Sequence, residues 1–434
     1  MKFLLDLFDK LCKESIKYSI MRNYVDLPKS TGGSDIDVWV AKEHLEKFYT
    51  ILMKCAEENH GKIVSYINKL YEPKTCIMGI DWGVQFDVYK DIVPIGNCKF
   101  FTGDAIWKHT ILYNGVQVLD SKWEAVESFL KEVLNTRHCN RKEKFYIDAS
   151  LAIKSMSFEE LKDGLNLFSD EYIRLLKKVG EEKKNDSLIN DIYKYGIQQL
   201  RIKNKFEISC HLAKFHRLFK RPGYFVVVLG TDGSGKSTII DHITPILEGA
   251  FHHGIHYEHL RPNLIPDIGI LFGKRQKEKI EVSPHPHDVK VSGFLGSLCK
   301  FLYYLQDYIW GYLFKILPSI ALYSHVYILD RYYYDYYIDQ KRAKILLPKW
   351  IIKIGEFFVP KPDIIICLGG NPDVIYKRKP ETSLEEVRKQ TTQLKKFAET
   401  KNNSVWIDTT VDVKISINKT MEAIQEMMSK RFSK

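Results

Sequence analysis

The 434-residue sequence has no uncharged apolar run of the roughly 20 residues that a membrane-spanning helix requires. Its most apolar stretch, Gly293 to Tyr323, is interrupted by Lys300, Asp307 and Lys315, and reads as a largely buried helix. The eight cysteines contain no C-x-x-C pair and no zinc-ligand spacing, which excludes a zinc ribbon or a disulfide framework and implies a reduced, cytoplasmic protein. No signal-peptide core opens the chain, because Asp6 and Asp9 interrupt it; the spacing of Phe3, Leu4, Leu7, Phe8 and Leu11 predicts an amphipathic helix. Internal repeats, low-complexity tracts and the polar bias of disorder are also missing. Acidic residues are in deficit: 54 Asp and Glu against 65 Lys and Arg give a formal charge of +11. Such a charge fits an anionic partner, and nucleotide phosphates satisfy it as well as nucleic acid would, for which there is no specific signal.

What is present is enough apolar residue for real cores, and the length favours two or three domains. From Tyr18 to Asp91 the pattern changes every few residues. An apolar YSIM is followed by a Pro/Gly/Ser-rich loop, an alternating strand from Ser34 to Val40, a helix from Lys42 to Glu58, and strands near Ile63–Ile67, Cys76–Ile80 and Val84–Tyr89. This predicts a small α+β unit within residues 1–138. Residues 139–220 carry helical spacing with charged clusters, KKVGEEKK and RIKNK, and read as a helical connector. Pro222 and Gly223 then precede three continuous apolar runs, Tyr224–Leu229, Val326–Leu329 and Ile364–Leu368, with helical stretches between. Strands buried on both faces that alternate with helices predict a doubly wound parallel α/β domain over 221–434.

The run VVVLGTDGSGKSTII holds G-x-x-x-x-G-K-S, from Gly230 to Ser237, directly after a strand and opening a helix. Gly230, Gly233 and Gly235 let successive N–H groups point at one anion, with Thr231, Asp232, Ser234 and Thr238 completing the loop, and the helix N-terminus adds its positive dipole end. Lys236 would reach β/γ-phosphates and Ser237 would bind Mg²⁺. Asp330-Arg331-Tyr332 ends the next strongly buried strand, where ligands of open α/β sheets bind. Asp330 would hold Mg²⁺ through water and Arg331 would neutralise charge on a transferred phosphoryl group, although an Asp-Arg pair also suits a plain surface. Tyr332, Tyr333, Tyr334, Tyr336 and Tyr337 fit either stacking on a base or sugar ring or ordinary half-buried packing. The His-rich FHHGIHYEH and PHPHD segments have no recognised ligand spacing.

Together GTDGSGKST and Asp330-Arg331-Tyr332 resemble the thymidylate kinase family over roughly Tyr224 to Phe432. Lys361-Pro362-Asp363 leads into a buried strand, Lys377-Arg378-Lys379 looks like the lid, and Trp406-Ile407-Asp408 ends a late strand. Arg261-Pro262, the Tyr-rich DRYYYDYYID followed by Arg342, and KRKPE from Lys377 to Glu381 resemble the thymidylate-kinase-like group found among bacterial surface-polysaccharide genes. The resemblance implies an ATP-dependent kinase acting on a nucleotide or sugar/glycan acceptor. In it, Lys236, Asp330, Arg331 and Arg378 are catalytic, and Asp232, Arg261, Tyr332 and Arg342 face the acceptor. HLRPNLIP, from His259 to Pro266, stands where true thymidylate kinases carry Arg-Glu-Pro-Gly, so the acceptor stays open, as does homodimerisation.

In the N-terminal unit Asp35 and Asp37 lie two apart in SDIDVWV, so their carboxylates share one strand face while Ile36 and Val38 take the other. Asp87 in VQFDVYK alternates the same way and would complete a Mg²⁺ site, although two solvated strand faces fit the spacing equally. The three acids resemble those of the polymerase-β-like nucleotidyltransferase fold. That family's Gly-Ser turn before the first acids is replaced here by Arg22 and Asn23, while Gly32, Gly33 and Ser34 abut Asp35. The resemblance leaves nucleotidyl transfer, an inactive domain and an acceptor-binding domain as readings. A third class, a nucleotide-switched binding module without turnover, stands beside the two enzymes.

Overall fold

The computed structural model describes residues 1–69, 72–90, 92–95, 98–136, 143–200, 214–266, 268 and 293–432. The chain divides into two compact units, Met1–His216 and Arg217–Lys434. PHPHD and RIKNK lie outside the described residues.

The first unit is built on a seven-stranded sheet of order β3-β4-β5-β2-β1-β9-β8. Its strands are β1 (Tyr18–Ile20), β2 (Ile36–Val40), β3 (Lys62–Ile67), β4 (Lys74–Met78), β5 (Gly83–Lys90), β8 (Thr110–Tyr113) and β9 (Val116–Leu119); β6 (Ile92–Ile95) and β7 (Cys98–Thr102) form a separate hairpin. β2 runs parallel to β5 with Asp37 opposite Asp87, and antiparallel to β1. One face buries Ile36, Val38, Phe86 and Val88 under the helices Lys2–Lys13 and Leu45–Glu58; the first of these is the amphipathic helix expected at the N-terminus, with Phe3, Leu4, Leu7, Phe8 and Leu11 buried. The other face, through Met21, Trp39 and Tyr89, shares a core with the helices Ser121–Thr136, Glu143–Ser155, Asp170–Glu181 and Asp186–Leu200. The helices expected as a connector are thus packed onto the sheet's own core.

The second unit has a five-stranded, wholly parallel sheet of order β11-β12-β10-β13-β14. The strands are β10 (Tyr224–Gly230), β11 (Ile255–His259), β12 (Val326–Asp330), β13 (Ile364–Gly369) and β14 (Ser404–Asp408). β10 is central and buried along its whole length. Phe225, Val227 and Leu229 pack under Phe301, Tyr308, Ile320, Ile352 and Leu394, while the helices Lys236–Ala250 and Val413–Ser429 pack on each other and on the sheet. Register sets Val228 beside Asp330 and Gly230 beside Leu368, which gathers the P-loop and the end of β12 at the carboxyl edge of the sheet.

The stretch Gly293 to Tyr323 departs from the expectation of a largely buried helix. A helix, Phe294–Gly311, passes through a π-turn, Tyr312–Ile316, into Leu317–Leu322. It buries Phe301, Tyr308, Ile316 and Ile320 but leaves Phe294, Leu295, Leu302, Trp310, Leu313 and Phe314 exposed. Apolar residues all round a helix do not define a buried face when the neighbouring strands cover only one side.

Candidate functional site

The P-loop turns sharply because Gly233 and Gly235 both take φ of +80°, a left-handed conformation that a Cβ would strain. Gly235 then caps the helix Lys236–Ala250, so the N–H groups of its first turn are free of intrahelical partners. Ser237 and Thr238 are exposed at that end. Thr409, just past β14, buttresses the loop from behind: its hydroxyl donates to Ser234 O at 2.8 Å, and it lies 3.1 Å from Gly369 O. Thr409 follows directly on Asp408, and two threonines after a strand end were its signal in the sequence.

Lys236 lies buried, its Nζ donating to Gly230 O at 3.1 Å and Thr231 O at 3.3 Å. Burial and the neighbouring Arg331 charge push its ammonium down to about 7. Asp330 receives Tyr257 OH at 3.2 Å and has His259 Nδ1 at the same distance. Burial works to raise its pKa, yet the His259 hydrogen bond and the Lys236 and Arg331 charges hold the carboxyl below its ordinary range. Tyr257 and His259 were not singled out as site residues, because β11 is a half-exposed edge strand without a continuous apolar run. Among the described residues, Thr231 Oγ1, Ser234 Oγ, Asp330 Oδ1 and Arg331 Nε are buried without a hydrogen-bond partner. Orphaned buried polar atoms are costly unless a ligand completes them, and this donor set, with one lone carboxylate oxygen, suits a phosphate chain and a divalent cation.

Arg331 sits at φ +75°, held by its own N–H to Val228 O at 2.8 Å. Its guanidinium binds Asp335 at 2.9 Å and Asp232 at 2.8 Å. Arg342 pairs with the other oxygen of Asp232 and lies 3.6 Å from Asp339. Asp232, Arg331 and Arg342 therefore form one network beside the P-loop. Arg261 is placed otherwise: it donates to Asp307 at 2.8 Å and Ile265 O at 3.0 Å and stacks on Tyr304. Asp307, fully buried, also accepts the N–H groups of Asn263, Leu264 and Ile265, so this pair shapes the HLRPNLIP loop. Tyr332 is 1% exposed, packs on Phe225 and Tyr308, and donates to Pro360 O at 2.9 Å; it offers an acceptor no face. Arg378 ends the helix Pro372–Arg378 with its side chain in solvent. That helix end reaches the loop, since a Cβ on Gly233 would lie 2.7 Å from Ile375 O and 3.1 Å from Lys379 Cβ.

In the first unit the three acids meet: one carboxylate oxygen from each of Asp35, Asp37 and Asp87 lies within 4.8 Å of the others. The pair of strand faces is not solvated, for Asp37 and Asp87 are both buried. Arg22 pairs with Asp37 and lies 3.8 Å from Asp35, while Lys131 Nζ stands 3.7 Å from Asp37 and Tyr89 OH donates to it at 2.8 Å. Burial alone would raise Asp37, but Lys131 and Arg22 bring it below the usual carboxylate range; Asp87 is raised, because burial outweighs the opposing charge of Lys74. The sequence marked Arg22 only as standing in place of the Gly-Ser turn, and gave no sign of Lys131, which lies on a helix about a hundred residues after the acids.

Residues 228–429 match the family model described as Thymidylate kinase. No curated protein matches the chain. With the glycine turn, the buried Lys236 and the facing Asp330 already in place, this match makes the C-terminal region thymidylate kinase-like, a P-loop region of nucleotide-kinase type.

Proposed function

We propose that residues 221–434 transfer the γ-phosphoryl group of Mg-ATP to a hydroxyl or phosphate of a nucleotide or sugar/glycan acceptor, in a role such as surface-polysaccharide synthesis. The observation that carries this is Lys236, buried beneath a turn whose Thr231 and Ser234 hydroxyls lack partners. Phosphate would favour the ammonium and satisfy the hydroxyls. Ser237 and Asp330 would organise Mg²⁺, which would supply charge neutralisation on the phosphate chain. Lys236 and Arg331 would stabilise charge on the moving group, and Arg378 would close over it from the lid. Asp232, which pairs with both Arg331 and Arg342, would orient the acceptor together with Arg342.

A second reading, nucleotidyl transfer at Asp35, Asp37 and Asp87 with a regulatory P-loop unit, is favoured by the close approach of the three carboxylates. Arg22 weighs against it, since its guanidinium already pairs with the Asp37 carboxylate on which a cation would draw. ATP labelled at the α or the γ phosphate, offered with nucleotides and glycans, separates the readings. Transfer of γ label supports the kinase and transfer of α label the nucleotidyltransferase. Tight ATP binding without either would assign a nucleotide-switched module and defeat the proposal.

A further inference from the structure

The helix Lys349–Phe358, KWIIKIGEFF, turns Ile351, Ile352 and Gly355 inward. A Cβ on Gly355 would lie 2.4 Å from Tyr333 OH and 2.6 Å from a Phe301 ring carbon, so the inner face is packed as closely as backbone allows. Tyr333 OH also donates to Ile352 O at 2.5 Å, which fixes the helix in place. The outer face is apolar too. Trp350, Ile354, Phe357 and Phe358, at i, i+4, i+7 and i+8, are 63%, 56%, 85% and 56% exposed. Leu346 extends the stripe, and its N–H bond to Ser297 Oγ sets it beside the start of the helix Phe294–Gly311, where Phe294 and Leu295 are exposed as well.

Charge is distributed to one side of this stripe. Lys349 and Lys353, both exposed, follow one flank. The helix's one acid, Glu356, is turned away, its carboxylate taken up by Tyr337 OH at 2.7 Å and by Lys401. The outer surface of the helix is therefore aromatic and cationic with no exposed carboxylate of its own, on a chain of net charge +11. Scattered exposed apolar residues are ordinary, but a contiguous row of this kind marks an interaction surface.

We propose that this face docks on an anionic lipid bilayer, with Trp350, Ile354, Phe357 and Phe358 entering the headgroup and acyl boundary and Lys349 and Lys353 lying among lipid phosphates. Large side chains standing clear of a convex helix, edged with lysine, are the chemistry of an interfacial helix; a flat protein partner would have to receive them in pockets and supply carboxylates opposite the lysines. No described helix is long and apolar enough to cross a membrane, so the contact lies on the surface.

The test is co-sedimentation of the full chain with vesicles of phosphatidylcholine alone or mixed with phosphatidylserine, beside sedimentation velocity without lipid. Binding to the anionic vesicles that weakens with salt is expected. Trp350→Ser/Phe357→Ser should weaken it at least ~100-fold, since two large apolar groups no longer enter the boundary. Lys349→Glu/Lys353→Glu should weaken it at least about tenfold while leaving the circular dichroism spectrum unchanged. Absence of vesicle binding, or equal binding by the parent and the double serine variant, would overturn the proposal. So would a lipid-free dimer that the serine variant abolishes, which would assign the face to a second copy of the chain.

Discussion

Lys236 carries a charge that its buried surroundings disfavour. A lysine in the unfolded chain titrates near 10.4, whereas burial and Arg331 bring this one down to about 7. Between those values the unfolded state binds more protons, so this residue's contribution to stability improves as pH rises from about 7 to about 10, and its cost is greatest below about 7. Lys236→Met should therefore abolish ATP binding and phosphoryl transfer yet stabilise the ligand-free protein at pH 6.5, by on the order of 1 kcal/mol or more, with the gain fading toward pH 10. Thermal melts across that range with and without ATP read both effects, and a variant less stable than the parent at pH 6.5 would show that the ammonium is well accommodated. Arg22 presents the reverse case. It neutralises buried Asp37 and is itself mostly covered, so Arg22→Ala should cost about 3 kcal/mol in urea unfolding, because the buried carboxylate then keeps one cation, Lys131, and the Tyr89 hydroxyl. Adding Asp37→Asn should recover part of that loss. If Arg22→Ala unfolds like the parent, the ion pair does not neutralise Asp37 in solution.

The P-loop works as a unit of strand, turn and helix, buttressed from a second strand end. Gly233 shows the constraint most sharply: its φ is left-handed and the Ile375 carbonyl leaves no room for a methyl group. Gly233→Ala should destabilise the second unit by about 1–3 kcal/mol and push the helix Pro372–Arg378 off the loop, seen as weaker ATP affinity and faster amide exchange across 372–379. Unchanged exchange there would mean that this helix does not rest on the loop. This element was legible in the sequence because its chemistry is local: glycine spacing, a preceding apolar run and a following helix lie within fifteen residues. Asp35, Asp37 and Asp87 were legible as a face because strand alternation is also local. Thr409, Tyr257, His259, Arg22 and Lys131 were not, since each reaches its site through sheet order or helix packing that no short window encodes. Arg261 and Tyr332 show the opposite limit: their residue types suit an acceptor site, but Asp307 and Pro360 O take up their polar groups.

At the scale of the molecule, Met1–His216 and Arg217–Lys434 each hold a sheet, covering helices and a core of their own. The first core closes over both faces of the seven-stranded sheet, and the helices Glu143–Ser155 and Asp170–Glu181 belong to it. A break between the units should fall after them, near residue 216, and a cut near residue 138 would strip Tyr146, Ile153, Tyr172 and Leu176 from that core. Removing several large apolar groups at once exceeds the usual stability of a domain. Residues 217–434 expressed alone should fold cooperatively and bind ATP like the full chain, and residues 1–216 should fold where 1–138 aggregates. In the full chain, Asp35→Asn/Asp37→Asn removes a carboxylate pair from the first unit only, and should leave ATP affinity by calorimetry and γ-phosphoryl transfer within about twofold of the parent. Loss of ATP binding in a well-folded 217–434, or in the double Asn variant, would mean that the nucleotide site draws on both units, and the kinase chemistry would then have to be assigned to residues from both.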